Sequence, residues 1–185
     1  MDKNASRIIL VTGGSRSGKS DWARRRAEAA PGPRLFLATA PALDDEMRAR
    51  IHRHRAERHG RDWATIEEEI DLAGVLRRSR RHPTVLVDCL TLWAGNLLHA
   101  EAKNRPLTED RMARLARDLA AAARRRGGMV VFVTNEVGFG LIPDNAIARR
   151  FRDVAGRMNQ TLAAAADEVV LIACGIPLHL KENPA

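Results

Sequence analysis

The sequence predicts an α/β fold, a mostly parallel sheet with helices on both faces, in a single domain spanning residues 1–185. Two observations carry that expectation. Five short runs are apolar throughout instead of alternating, which is the pattern of strands buried on both faces. Stretches with helical spacing separate them, as in a chain that crosses back over its own sheet after each strand. The length suits one core able to fold alone, and a 45% hydrophobic content argues against disorder.

Taken in order, "RIILVT" (7–12) runs into glycines and reads as a buried strand. A helix follows from Lys19 to about Ala30, stopped by "PGP" at 31–33. "RLFLAT" (34–39) is a second strand. A helix from Asp44 to about Arg58 has Asp45 and Glu46 suited to its N-terminus. "PTVLVD" (83–88), "GMVVFVT" (128–134) and "EVVLIAC" (168–174) are further buried strands, and "PLHLK" (177–181) adds an edge strand. Helices are expected near 91–100, 108–126 and 145–166, with the segment 99–110 as a mobile connection. No internal repeat or domain linker is apparent.

No apolar run approaches the length of a membrane span, and Met1 to Arg7 lacks a signal-peptide pattern, so a cytoplasmic protein without a membrane span is expected. Cys89 and Cys174 each end or follow an apolar run and read as buried thiols, not as a zinc site. Trp22, Trp63 and Trp93 read as packing residues. The net charge of +8 comes almost wholly from arginine, either for anionic partners or as arginine used where other chains use lysine, and by itself it selects no partner.

"GGSRSGKS" (13–20) lies between the first strand and the first helix and fits G-x-x-x-x-G-K-[ST]. Gly13, Gly14, Ser15, Arg16, Ser17 and Gly18 can curl so that successive N–H groups face phosphate oxygens. The helix behind them presents its positive dipole end to the same anion. Lys19 supplies a point charge for the terminal phosphates, and the Ser20 hydroxyl can ligate Mg2+. Asp88, at the end of "TVLVD", is the expected acidic member of that metal shell, with capping of the next helix as its alternative role.

A phosphate loop does not name a reaction. A signalling GTPase would carry N-K-x-D, and "TNEV" (134–137) lacks both Lys and Asp. A nucleic-acid-binding ATPase module is an alternative given the charge, but a chain with no Tyr offers no basic-aromatic stacking platform, so no nucleic acid is expected as partner. A small-molecule kinase fits the length and motifs better.

Four segments in order, "ILVTGGSRSGKS", "FLATAPALDDEMRARIHRHR", the run Trp63 to Glu67 and "VTNEVGFGLIPDNAIARRFRDVAGRMNQTLAAAADEV", resemble the bifunctional adenosylcobinamide kinase / adenosylcobinamide-phosphate guanylyltransferase family of cobalamin biosynthesis, from about Ile8 to Lys181. The resemblance implies a RecA-like P-loop NTPase domain and a homotrimer with active sites where subunits meet. It implies ATP, GTP and adenosylcobinamide or its phosphate as partners. A nucleoside triphosphate first phosphorylates the aminopropanol arm; GMP from GTP is then transferred to that phosphate through a GMP–histidine intermediate. The matching histidine is His54. The resemblance also implies nucleotide contacts from Ala38, Thr39, Ala40, Arg55, Ala56, Glu57, Arg58 and Glu67. The departures from the family pattern are the shorter acid at Asp88, a short N-terminal extension and the segment 99–110.

Helical geometry treats the histidines of "IHRHR" differently. At about 100° per residue His54 falls roughly 60° from Ile51, while His52 points roughly 160° away from His54. Arg50 and Arg58 lie one turn to either side of His54, where guanidinium charge lowers an imidazole pKa and steadies a phosphoryl group. Periodicity alone equally describes a half-buried histidine beside a core stripe. Asn135 and Glu136 end another strand; orienting a substrate or capping the Gly138–Gly140 turn both remain open for them.

Overall fold

The structure, a computed structural model, describes residues 6–40, 60–101 and 106–182. Its strands are β1 (Arg7–Gly13), β2 (Arg34–Ala38), β3 (Trp63–Glu67), β4 (Thr84–Asp88), β5 (Met129–Val133), β6 (Glu168–Ala173) and β7 (Ile176–Glu182). The helices are α1 (Lys19–Glu28), α2 (Leu72–Arg78), α3 (Leu90–His99), α4 (Glu109–Arg126) and α5 (Ala146–Ala165). The strands form one sheet in the order β3-β2-β4-β5-β1-β6-β7. Every pairing is parallel except that of β6 with β7.

The apolar runs explain the layering. Successive side chains of a strand point to opposite faces. Ile8, Leu10, Val85, Val87, Val130 and Phe132 therefore enter one core, while Ile9, Val11, Leu86, Val131 and Val133 enter the other. On the first face lie α2, α3, α4 and α5, burying Leu76, Trp93, Leu119 and Met158 among others. On the second, α1 packs Ala23 and Ala27 against the sheet, with Trp22 at its margin. These alanines let α1 lie close as it carries the chain from β1 past β5 and β4 to β2.

Two elements escape the sequence reading. β3 is an edge strand whose residues are mostly exposed, so "WATIE" has no continuous apolar run to reveal it. α2 spans one and a half to two turns and contains Gly74, too short for periodicity to register. It starts on Asp71, whose side chain accepts the Gly74 N–H at 2.9 Å. The other elements occur as expected with ends shifted by one or two residues. Cys89 is buried, but Cys174 is exposed, contrary to expectation. It stands past the end of β6 with φ 53°, in the turn where the chain reverses into β7, and a reversal at the sheet edge leaves no layer above it. All three tryptophans pack: Trp63 lies edge-on to Phe36, Trp22 edge-on to His179, and Trp93 Nε1 donates to Ile70 O at 2.8 Å. The helix expected at Asp44–Arg58 lies outside the described residues. Among those described, no helix is long and apolar enough to cross a membrane.

Polar side chains close the amino edge of the sheet. Arg34 donates to the carbonyls of Ala27, Glu28 and Ala30, capping the C-terminus of α1. Asp167 accepts the Ile8 N–H and Arg124 Nη1, both at 2.7 Å, joining β1, α4 and the start of β6. Burial alone would raise its carboxyl pKa; the bonds from Arg124 and the Ile8 amide outweigh burial and hold it below the usual carboxylate value.

A carboxyl depressed in the folded state adds stability above its unfolded pKa and loses it as the pH falls through the folded value. Asp167→Asn should therefore lower unfolding free energy by about 1–3 kcal/mol near neutral pH. In urea melts at a series of pH values, the gap from wild type should close once the pH is well below the ordinary carboxylate value of about 4. A gap independent of pH would refute this account.

Candidate active site at the carboxyl edge of the sheet

β1 through β6 all point the same way, so their carboxyl ends line one edge, the usual ligand side of an open α/β sheet. β1 delivers Gly13 there. Gly13 has φ 155°, and a Cβ on it would lie 2.4 Å from Ile172 O and 2.8 Å from Ser17 Oγ, so only glycine fits. Gly14, Ser15 and Arg16 are exposed, with Arg16 at φ 58°. Gly18, at φ 92°, is the N-cap of α1 and offers no capping side chain that would compete with an anion for the helix amides. Lys19 is 8% exposed, and its Nζ donates across the loop to Gly14 O at 2.8 Å. The loop is tied on two sides: Gly175 N donates to Ser17 O at 2.9 Å, and Glu136 N to Gly13 O at 3.1 Å.

Ser20 sits half-buried in the first turn of α1, and Asp88 half-buried at the end of β4. Asp88 and Lys19 both act electrostatically on the Cys89 thiol. Burial, reinforced by the Asp88 charge, pushes that thiol up to about 11, so it remains protonated at neutral pH. The available metal donors are thus hard oxygens, which suit a cation that also takes phosphate oxygens and water. Among the described residues, no cluster of three or more His, Cys, Asp or Glu side chains forms a metal cage.

Behind this edge lies a polar ring that the sequence reading did not identify. Thr134 Oγ1 donates to Asn159 Oδ1 at 2.8 Å. Its single proton being used, the 3.2 Å contact with Thr91 must be a bond donated by Thr91. Thr91 Oγ1 then accepts the Asn135 N–H at 2.6 Å, and Asn159 Nδ2 donates to Asn135 O at 3.1 Å. Thr91, Thr134 and Asn159 are all at most 8% exposed. Each donor thus finds an acceptor, a closed cycle in which the bonds polarise one another. It grips both backbone groups of Asn135, between the columns of Asp88 and the phosphate loop. The available signal was a polar residue at the end of an apolar strand, together with an asparagine among the apolar positions of α5. Glu136 Oε1 accepts the Gly138 N–H at 3.1 Å, which is the turn-capping alternative considered for it.

The remaining candidates are spread along the edge. Ala38 ends β2, and Thr39, fully buried, both donates to Cys89 O at 2.7 Å and accepts from Cys89 N at 2.8 Å. Its hydroxyl is directed to the β4–α3 junction. Ala40 is half-buried at the same edge. Glu67 ends β3, four strand spacings from β1, which is about 19 Å at ~4.8 Å per spacing. The phosphate loop and Glu67 therefore stand well apart along the edge. His54, Arg55, Ala56, Glu57 and Arg58, with Arg50 and His52, lie outside the described residues.

Comparison with known proteins bears on this edge. The family model described as cobinamide kinase / cobinamide phosphate guanyltransferase matches residues 9–180. The chain is 45% identical to the bifunctional adenosylcobalamin biosynthesis protein CobU of Salmonella typhimurium and 42% identical to that of Escherichia coli, in each case over 94% of this chain and 99% of the relative. The bifunctional adenosylcobalamin biosynthesis protein CobP of Pseudomonas aeruginosa is 39% identical over 95% of this chain and 98% of its own. The crystal structure of the flagellar accessory protein FlaH from Methanocaldococcus jannaschii superposes with a TM-score of 0.56 at 12% identity, covering 97% of this chain and 80% of that one. This last likeness concerns the fold alone.

Asn159→Ala would leave the Thr134 hydroxyl and the Asn135 carbonyl without their partners in a buried setting, at a cost of about 2–3 kcal/mol. Because Glu136 N holds Gly13, loosening Asn135 should also weaken nucleotide binding, whereas Thr134→Ser, which keeps the hydroxyl, should preserve it. Thermal melts and calorimetric titration with a non-hydrolysable ATP analogue report the two effects. Unchanged melting of Asn159→Ala would refute the ring.

Proposed function

The chain belongs to the cobinamide kinase / cobinamide phosphate guanyltransferase family, and we propose that it performs its two transfers at separate stations on one sheet edge, with His54 as the covalent carrier of GMP. The observation that carries this reading is the phosphate loop: a buried lysine drawn across a glycine-walled cradle, at one end of an edge that extends about 19 Å to Glu67.

At the first station the loop amides and Lys19 hold the terminal phosphates of a nucleoside triphosphate. The hydroxyl of the cobinamide arm attacks the γ-phosphorus, forming a new P–O bond as the bond to the β-phosphate oxygen breaks. The hydroxyl proton leaves, and a nucleoside diphosphate departs. Ser20 and Asp88 are the residues that would hold magnesium, which when bound would neutralise charge on the phosphates.

In the second transfer an imidazole nitrogen of His54 attacks the α-phosphorus of GTP and pyrophosphate leaves. An oxygen of cobinamide phosphate then displaces the imidazole, breaking the P–N bond and giving GDP-cobinamide. Arg50 and Arg58, one helical turn to either side of His54 in the expected helix, would steady the transferred phosphoryl group. Ala38, Thr39, Ala40, Arg55, Ala56, Glu57 and Glu67 surround that nucleotide.

The reading includes a cytoplasmic homotrimer whose sites are completed at subunit contacts. The outer edge strand supports a covered face, since Ile176, Leu178 and Leu180 are 68%, 56% and 57% exposed in a row on β7.

Incubation with α-labelled GTP should leave one acid-labile, base-stable GMP per chain, read by mass. His54→Asn should abolish the label yet retain phosphorylation of adenosylcobinamide, and Lys19→Ala should show loss of the kinase step. A wild-type chain that never takes the label would sink the guanylyl half. Leu178→Glu should reduce the sedimentation mass from trimer to monomer; an unchanged mass would remove β7 from the contact.

A further inference from the structure

The loop between β5 and α5, residues 134–145, is held at both ends and apolar in the middle. At its first stem, Thr134 and Asn135 belong to the polar ring, and Glu136 N donates to Gly13 O at 3.1 Å. At its second stem, Arg149 Nη1 donates to Pro143 O at 2.9 Å and to Asp144 O at 2.6 Å, and Asn145 caps α5 by accepting the Ala148 N–H at 2.7 Å. Between the stems Phe139, Leu141 and Ile142 are 82%, 95% and 70% exposed, joined by Ile147 of the first helical turn at 73%. A chain that hides Phe132 and Leu119 completely thus presents four large apolar side chains from a well-anchored backbone. An exposed apolar surface of this kind marks a binding site, and long loops at the carboxyl edge are where such sites are found.

Resting on the activity proposed above, we infer that this loop is the platform for the corrin macrocycle of the acceptor. The acceptor has two parts with opposite demands. Its hydroxyl arm must reach the phosphate held by Lys19, in a cradle built from backbone amides and charge. Its ring is broad, with apolar faces, and needs apolar surface beside the cradle. Phe139 is three residues from Glu136, whose amide bonds the first glycine of the cradle, so their Cα atoms are at most about 11 Å apart. The other feature comparable in exposure among the described residues, the β7 stripe, brings only Ile176 to this edge, next to Gly175, and carries Leu178 and Leu180 down the sheet away from it, because β7 runs antiparallel to β6. Position therefore assigns the loop to the acceptor and leaves the stripe to the subunit contact.

The test compares wild type with the double variant Phe139→Ser/Leu141→Ser and the conservative Phe139→Leu. Both positions are exposed, so an unchanged melting temperature is expected. KM for adenosylcobinamide in the kinase reaction should rise at least about tenfold in the double variant, as the loss of apolar contact from two large side chains implies. Its equilibrium Kd for the same chromophoric acceptor, titrated by visible absorbance, should rise in parallel. KM for ATP, GMP labelling from GTP and sedimentation mass should stay at wild-type values, and Phe139→Leu should retain most of the acceptor affinity. An unchanged acceptor KM overturns the assignment, and so does a fall in sedimentation mass, which would make the loop a contact between copies. A wild-type chain that neither phosphorylates the acceptor nor takes the GMP label overturns the activity itself, a result visible before any loop variant is made.

Discussion

Much of the site depends on the absence of a side chain at Gly13. Its Cα hydrogens face the Ile172 carbonyl at a distance that no Cβ could share, and this contact lets β1 run flush against β6 to its end. From there the chain turns outward into the phosphate loop. The Gly13 carbonyl in turn receives the Glu136 amide, so the exit of β5 is referenced to the same point. Ser17, four residues on, receives Gly175 from the β6–β7 turn. One glycine thus brings three strand ends into register around the cradle, and Lys19 closes it from inside.

Burial on both faces explains why polar residues at that edge form closed circuits. A strand end beneath four helices has no water for its last backbone groups, and unpaired ones are costly. The chain answers with short hydroxyls and amides: Thr39 on Cys89, Thr91 and Thr134 with Asn159 on Asn135. Thr91, Thr134 and Asn159 touch no substrate in the proposed mechanism, and the Thr39 hydroxyl is engaged with the Cys89 backbone. They prevent the loops that do from wandering, which matters when phosphoryl transfer depends on sub-ångström positioning. The same edge also carries, on the far side of this circuit, the rigid stems from which the apolar loop projects.

Strand order sets how far apart the strand ends lie along the edge. Because β2 and β3 lie on the far side of β4 and β5 from β1, whatever their carboxyl ends hold is kept well apart from the phosphate loop. In the two-station reading proposed above, that spacing is what would keep the two transfers from competing for one cradle.

What the sequence by itself determined was whatever is local or periodic. Apolar runs buried on both faces revealed β1, β2, β4, β5 and β6, and the spacing of Gly13, Gly18, Lys19 and Ser20 revealed the cradle, since a phosphate loop is built from contiguous backbone. The exposed strand β3 and the short helix α2 carried no such signal, as neither buries enough to impose a pattern. Cys174 looked buried because its neighbours in β6 are, whereas the reversal into β7 turns it out to solvent. Only the tertiary structure decided the strand order, and with it the distance from Lys19 to Glu67. It alone brought Thr91, Thr134, Asn135 and Asn159 into one ring from three separate segments. Adjacency between segments distant in sequence is set by how helices cross the sheet, and no single segment encodes that crossing.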